Sequence, residues 1–286
     1  MTPELFQQIE TEGAAVDLSA RAKFRLTGAD RVRYLNGQVT NDVRSARQDQ
    51  SLYACVTDLK GKIVGNLYIH AEGESLILDA EPDLRDILGP RLERYIIADD
   101  AELTDITSDW SLWHIFGPTS EQSIDDAIQV KSNRLGTPGI DLWLPSSSAR
   151  PSFARTTISA DDFETCRILR GIPRYPNELN GDAFPPEAGL EATAMSYTKG
   201  CYVGQEVLSR IRTTGKMPRA LIRWTSEHPV AVGDVVVSEE KAAGAITSAT
   251  VHPVSRLSAG LAYIKQGTSG PLSTTSGATL ITSVCA

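Results

Sequence analysis

The sequence predicts an α+β fold that ends in a small all-β unit. Over residues 1–215, short β-like runs and helical apolar patterns mix in an α+β order. From 216 onward only short β runs appear, separated by Gly, Pro and Ser, which suits a small barrel or sandwich. The composition is that of an ordinary globular chain: 286 residues, 41% hydrophobic and 22% charged, with 22 Gly and 15 Pro. Disordered, collagen-like and coiled-coil classes are excluded by it, and the length suits one large or two ordinary domains.

The elements follow in order. Residues 14–26 read as extended segments around a turn. Val32, Leu35 and Val39 recur at helical spacing and predict a short helix entered from Gly28-Ala29-Asp30. Residues 52–57 and 63–70 are β-like and joined by Asp58-Leu59-Lys60-Gly61-Lys62, a hairpin that turns at Gly61. Residues 75–79 form another strand, and 84–95 a helix that Gly89-Pro90 should interrupt or bend. A strand over 112–116 ends at Gly117-Pro118. Thr119 and Gln122 then make a capping-box pattern for a helix whose stripe is Ile124, Ala127 and Ile128.

A strand over 139–144 leads into a Ser-rich loop. Ser159 is the expected N-cap of a helix over 161–170, closed by Gly171, with Phe163, Cys166 and Leu169 on one face. Residues 171–198 carry four prolines and form a long irregular stretch, a kind of segment that is more often functional than not. Thr198-Lys199-Gly200-Cys201 then opens a helix. The β runs of the tail fall at 221–225, 234–237, 244–252, 257–264 and 278–282, so a domain boundary is placed near 213–220.

The net charge is −8, which argues against a general nucleic-acid coat. Charge is uneven, however. Residues 72–109 have a net charge of −9, whereas Lys199, Arg210, Arg212, Lys216, Arg219 and Arg223 against Glu206 make 199–223 net +5. The opening residues show no basic n-region or apolar h-region, and no apolar run approaches the roughly 20 residues a membrane span needs. Four scattered cysteines form no C-x-x-C pair, so a protein of the reducing cytoplasm is expected, without membrane or nucleic-acid partners.

No phosphate-binding loop, dinucleotide fingerprint, zinc-protease motif or nucleophile elbow is present, and the four histidines stand singly, so no metal site is expected. Cys201 lies in Gly200-Cys201-Tyr202-Val203-Gly204, just before a helix and beside Lys199. A nearby ammonium and a helix N-terminus favour thiolate, so a reactive thiol is one reading. A small buried residue in a tight loop is the other. Cys55 and Cys166 fit a strand and a helix face as structural residues. Glu187 follows Pro185-Pro186, which hold the backbone rigid; it is either a surface turn residue or a carboxylate presented to a cyclic amidine-like edge.

Four segments together resemble the glycine-cleavage T-protein (aminomethyltransferase) superfamily, most closely its YgfZ-type folate-binding branch. They are Leu26 to Asp30 with Tyr34 to Val43; Asp58 to Lys62; Arg170 to Pro173 through Glu187-Ala188-Gly189-Leu190; and Lys199-Gly200-Cys201-Tyr202-Val203-Gly204-Gln205-Glu206. The last, K-G-C-Y-x-G-Q-E, is the branch signature. The resemblance covers about residues 15–215, and the β-rich tail agrees with the family's C-terminal barrel.

It implies three modules around a central hole that binds tetrahydrofolate or a one-carbon derivative, with two of them interwoven over 1–215 and the barrel over 216–286. It implies Glu187 on the pterin, and Tyr175, Lys199, Tyr202 and Arg223 at the folate site, the basic cluster meeting the glutamyl tail. T-proteins carry an acidic pair where this chain has Gly65-Asn66, so aminomethyl-transfer chemistry is expected to be lost. The branch implies an accessory role in iron–sulfur cluster assembly or repair, with Cys201 as a redox thiol or transient ligand and iron–sulfur enzymes as partners. A folate-dependent aminomethyltransferase or demethylase is the alternative.

Overall fold

The computed structural model describes residues 1–118 and 127–284. Helix α1 (Pro3–Glu12) starts at Thr2, whose hydroxyl accepts from the Leu5 amide, with Pro3 at the first helical position. Strands β1 (Ala14–Asp17) and β2 (Ala22–Thr27), helix α2 (Arg31–Gln38), hairpin β3 (Leu52–Thr57) and β4 (Ile63–Glu72), and strand β5 (Ser75–Ala80) follow. Helix α3 (Arg85–Glu93) continues past Pro90, so the chain is not interrupted there. Strands β6 (Glu102–Asp105), β7 (Trp110–Phe116), β8 (Ile128–Ser132), β9 (Gly139–Pro145) and β10 (Thr157–Ile158) complete two sheets. Of the helix expected after Gly117-Pro118, residues 119–126 lie outside the described residues, and Ile128 opens a strand instead.

One sheet has the order β3-β4-β5-β2-β6 and the other β10-β1-β7-β9-β8, so the chain crosses between them at β1–β2 and again at β6–β7. Helix α4 (Ala160–Leu169) follows, with the Ser159 hydroxyl accepting from the Asp162 amide as its cap. The irregular stretch holds a 3-10 turn (Pro185–Ala188) and helix α5 (Glu191–Ala194), and helix α6 (Gln205–Thr214) follows the Cys201 loop.

A closed six-strand barrel ends the chain, in the order β11-β14-β13-β12-β15-β16. Its strands are β11 (Arg219–Ser226), β12 (Val235–Ser238), β13 (Lys241–Val251), β14 (Ser258–Lys265), β15 (Leu272–Thr274) and β16 (Thr279–Val284). Closure leaves no unpaired barrel edge.

The sheet of β3 and β4 has two unlike faces. Ala54, Val56 and Leu67 pack with Leu84 and Leu88 beneath α3. Gly65 faces the same way, since a Cβ there would lie 2.9 Å from Leu84 Cδ2. The opposite face carries Tyr53, Cys55, Asn66 and Tyr68, cross-strand partners Tyr53–Tyr68 and Cys55–Asn66 in register.

Cys55 and Ile63 share a core with Leu179, Ala183, Ala188, Leu190 and Ala194 of the irregular stretch and with Leu221, Leu261 and Tyr263 of the barrel. That shared burial holds the long loop in place. The barrel adds polar ties: Tyr263 donates to the Glu178 carbonyl (3.0 Å) and the Ser248 hydroxyl to Glu178 Oε1 (2.6 Å). Among the described residues no helix is long and apolar enough to cross a membrane.

Candidate functional site

A central cavity of about 530 Å3 opens between the two sheets, α4 and the irregular stretch. That is the size of a small-molecule site. Tyr53 and Tyr68 line it with ring centroids 4.7 Å apart, and the Arg134 guanidinium lies 4.2 Å over the Tyr68 ring. Burial pushes both phenols up, that of Tyr68 to about 12, so both stay neutral.

Charges at the wall are matched. Arg134 bridges Asp79 (2.6 Å) and Asp141 (2.8 Å), both buried, and Asp141 is also 2.8 Å from His114 Nδ1. Burial alone would raise these carboxyl groups, but the Arg134 guanidinium holds both below the usual range. Arg21 pairs with Asp79 and Glu81, Arg174 with Glu81 and Glu164, and Arg167 with Glu164 and Glu178. Asp17, at the rim, accepts from the Ser19 amide.

Three buried polar atoms of lining residues have no hydrogen bond among the described residues: Arg21 Nη2 and Arg174 Nε, which belong to ion-paired guanidinium groups, and the amide oxygen of Asn66. Asn66 is buried and lines the cavity, and its Oδ1 has no hydrogen bond. A buried amide oxygen left open costs about 1–3 kcal/mol, which a donor on a bound ring would recover. The Gly65-Asn66 pair thus divides between the two faces, Gly65 in the core and Asn66 at the cavity.

The expected site residues take varied places. Glu187 is 1% exposed and outside the cavity lining, although Ala188, Gly189 and Leu190 after it belong to that lining. Its Oε2 accepts from the Phe184 amide (2.9 Å) and lies 3.4 Å from Arg219 Nε, whereas Oε1 has no partner. Tyr175 is half-buried between two hydrophobic clusters, next to the lining residues Pro173 and Arg174. Arg223 does not line this cavity; its side chain packs on Gly171 from the barrel side and faces a second cavity.

The K-G-C-Y loop sits outside the cavity lining but is fastened to its wall. Lys199 Nζ donates to the carbonyls of Asn36, Val39 (2.7 Å) and Asn41 (2.9 Å). The Asn41 amide in turn donates to the carbonyls of Tyr53 and Thr193, both cavity residues. Gly204 at φ 85° approaches the hairpin turn so closely that a Cβ would lie 2.5 Å from the Asp58 carbonyl, and Thr57 donates to the Val203 carbonyl (2.6 Å). Tyr202 is buried under this loop.

Cys201 is exposed. Cys55 and Cys166 are buried, their thiols pushed up by burial to about 12 and 11. Lys199 directs its ammonium to three backbone carbonyls, and α6 begins four residues beyond Cys201.

Sequence reasoning missed Tyr53, Tyr68, Arg21, Arg134 and Arg174. Strand alternation across the hairpin was the available signal for the two tyrosines; the arginines gave none, since their partners are distant in sequence. Among the described residues no group of three or more His, Cys, Asp or Glu is placed to hold a metal.

Comparison with known proteins agrees with this architecture. Residues 4–136 match the GCVT N-terminal domain family. The fold superposes on the glycine cleavage system aminomethyltransferase T of Bartonella henselae with a TM-score of 0.85, covering 98% of this chain and 87% of the other at 15% identity. In sequence, an aminomethyltransferase of Rubrobacter xylanophilus is 25% identical over 92% of this chain and 79% of its own length. The tRNA-modifying protein YgfZ of Vibrio vulnificus is 26% identical over 83% and 78%, and that of Sodalis glossinidius 27% over 77% and 74%. Residues 4–136 thus match the GCVT N-terminal domain family, and the whole chain has the fold of a glycine-cleavage T-protein. In sequence it resembles both aminomethyltransferases and YgfZ-type proteins.

Proposed function

We propose that this chain is a tetrahydrofolate-binding accessory protein for iron–sulfur cluster assembly or repair, acting in the cytoplasm. The observation that carries the reading is Asn66: a cavity of the right size keeps aromatic rings and an open amide oxygen where T-proteins have an acid. The remaining carboxylates at the cavity are already hydrogen-bonded or ion-paired, so none is free for acid–base work. The pterin lies between Tyr53 and Tyr68 and the irregular stretch, with Asn66 Oδ1 accepting from it and Glu187 Oε1 as the second acceptor. Arg21 and Arg174, although ion-paired, each keep a nitrogen without a hydrogen bond (Nη2 and Nε) and suit the glutamyl carboxylates.

Cys201 acts as a redox thiol or as a transient sulfur or cluster ligand. A cluster normally takes about four protein thiolates, so any ligation is shared with a partner, an iron–sulfur enzyme or assembly protein. The net charge of −8 speaks against direct nucleic-acid binding, so a link to tRNA such as the relatives' name records would pass through a client enzyme.

Calorimetric titration with tetrahydrofolate tests the pocket. Affinity should fall about tenfold in Asn66→Ala and in Glu187→Ala, as for one lost hydrogen bond in a buried site. Unchanged affinity in both variants refutes the assignment. In cells lacking the wild-type copy, Cys201→Ala should fail to restore iron–sulfur enzyme activity; full rescue removes the thiol from the mechanism. Turnover of an aminomethyl donor with tetrahydrofolate would establish the transferase reading instead.

A further inference from the structure

Glu81 follows β5 and lines the large cavity, and its carboxylate reaches two arginines from distant parts of the chain. Arg21, just before β2, donates to Oε1. Arg174 Nε, in the irregular stretch, lies 3.3 Å from Oε2 without the alignment of a hydrogen bond. Both arginines line the same cavity. Arg21 Nη2 is buried without a partner as well, so the two guanidiniums keep donors that Glu81 does not fill.

Glu81 is held more loosely than its acidic neighbours. Glu164 accepts from Arg167 at 2.7 and 2.8 Å and from Arg174 at 3.0 Å. Asp79 is buried between Arg21 (2.8 Å) and Arg134 (2.6 Å). The Glu81 side chain is 17% exposed, and its ties among the described residues are the two arginines. Its backbone is fixed separately, since the Leu84 amide donates to the Glu81 carbonyl (2.9 Å). The side chain can therefore change rotamer without moving the strand.

The Glu81 charge is also the surplus one. Asp79 and Asp141 flank Arg134, and Glu164 and Glu178 flank Arg167. With Glu81 taken away, Arg21 keeps Asp79 and Arg174 keeps Glu164. Four guanidiniums then face four carboxylates in this ion-paired network, and Glu81 makes a fifth.

We propose that Glu81 is the specificity-determining residue for the acidic end of the ligand: it is an internal stand-in on the seat that Arg21 and Arg174 offer to a ligand carboxylate, and such a carboxylate enters only by displacing it. Two carboxylates on one seat repel each other, so both cannot stay. Exchanging one for the other returns the same kind of bond and gains little. The wild-type cavity thus draws its affinity from the neutral part of the ligand and little from an anionic tail. The inference rests on the folate reading of this cavity in taking that tail to be glutamyl.

Calorimetry with the full chain tests this. p-Aminobenzoylglutamate, which carries the tail without the pterin, should bind Glu81→Gln about tenfold tighter than the wild type, as for one charge-assisted pair gained. Its dimethyl ester, the uncharged analogue, and 6-methyltetrahydropterin, which has no tail, should bind both proteins alike. Equal or weaker binding of p-aminobenzoylglutamate in Glu81→Gln overturns the proposal, as does an equal gain for the ester. Should the variant not fold, the wild type decides alone: there the acid and its ester should agree within about threefold, and an advantage of about tenfold for the acid refutes the stand-in. Failure of tetrahydrofolate and 6-methyltetrahydropterin to bind either protein refutes the folate reading, while the comparison of p-aminobenzoylglutamate between the two proteins still decides on Glu81.

Discussion

On one face of α4, Glu81 and Glu164 at the large cavity are each bridged by arginines, and Asp79, Asp141 and Arg134 form a buried chain behind them. On the other face, Arg223 packs on Gly171, enters no ion pair among the described residues and leaves its Nε without a hydrogen bond. The difference separates two uses of polarity. A closed ionic network holds the wall of the large cavity in shape before any ligand arrives, so it contributes to the fold. A buried donor left open costs the fold, and that cost is recovered when something accepts from it.

The largest expected effect tests the closed network. Arg134→Met leaves Asp79 and Asp141 buried with only their secondary partners, and should lower stability by about 3–5 kcal/mol in urea unfolding. A loss below about 1 kcal/mol would mean the network is not what shapes this wall.

The next effect is a pH dependence. His70 is 3% exposed on β4, and burial pulls its imidazole down to about 4. In the unfolded chain it titrates near about 6.5. Between those values the unfolded state holds the extra proton, so stability should fall by up to roughly 3 kcal/mol as pH drops through that window. Below about 4, protonation of Asp79 and Asp141, held low by Arg134, should add further loss. The gap between urea midpoints at pH 7 and 5 should narrow in His70→Gln, the buried His114 keeping the remainder; an unaltered slope would assign the pH dependence to other groups.

The smallest effect belongs to the open side. Arg223→Met retains the shaft against Gly171 and breaks no pair, so stability should change by less than about 1 kcal/mol. A loss as large as that from Arg134→Met would erase the contrast between the two faces.

The sequence was informative wherever the cause of structure is local. The Ser159 cap, the turn at Gly61 and the short β runs of the tail all appear where the pattern places them. Two local signals were passed over or misread. Thr2 and Pro3 begin a helix that sequence reading did not mark, and Pro90 lies within α3 instead of breaking it. The K-G-C-Y motif marked a loop with an exposed thiol, but that its lysine fastens the loop through three backbone carbonyls was not legible in the motif.

By itself the sequence determined the succession of caps, turns and alternating strands, because those preferences act between residues a few positions apart. Only the tertiary structure decided that Asn66 faces a cavity while Gly65 faces the core, that Arg134 closes on Asp79, and that Arg223 stands behind α4. Arg134 and Asp79 are 55 positions apart, and Arg223 and Gly171 come from different modules. Which faces meet at such separations is set by how sheets, helix and barrel pack together, a balance of burial and charge pairing that no short stretch of chain contains.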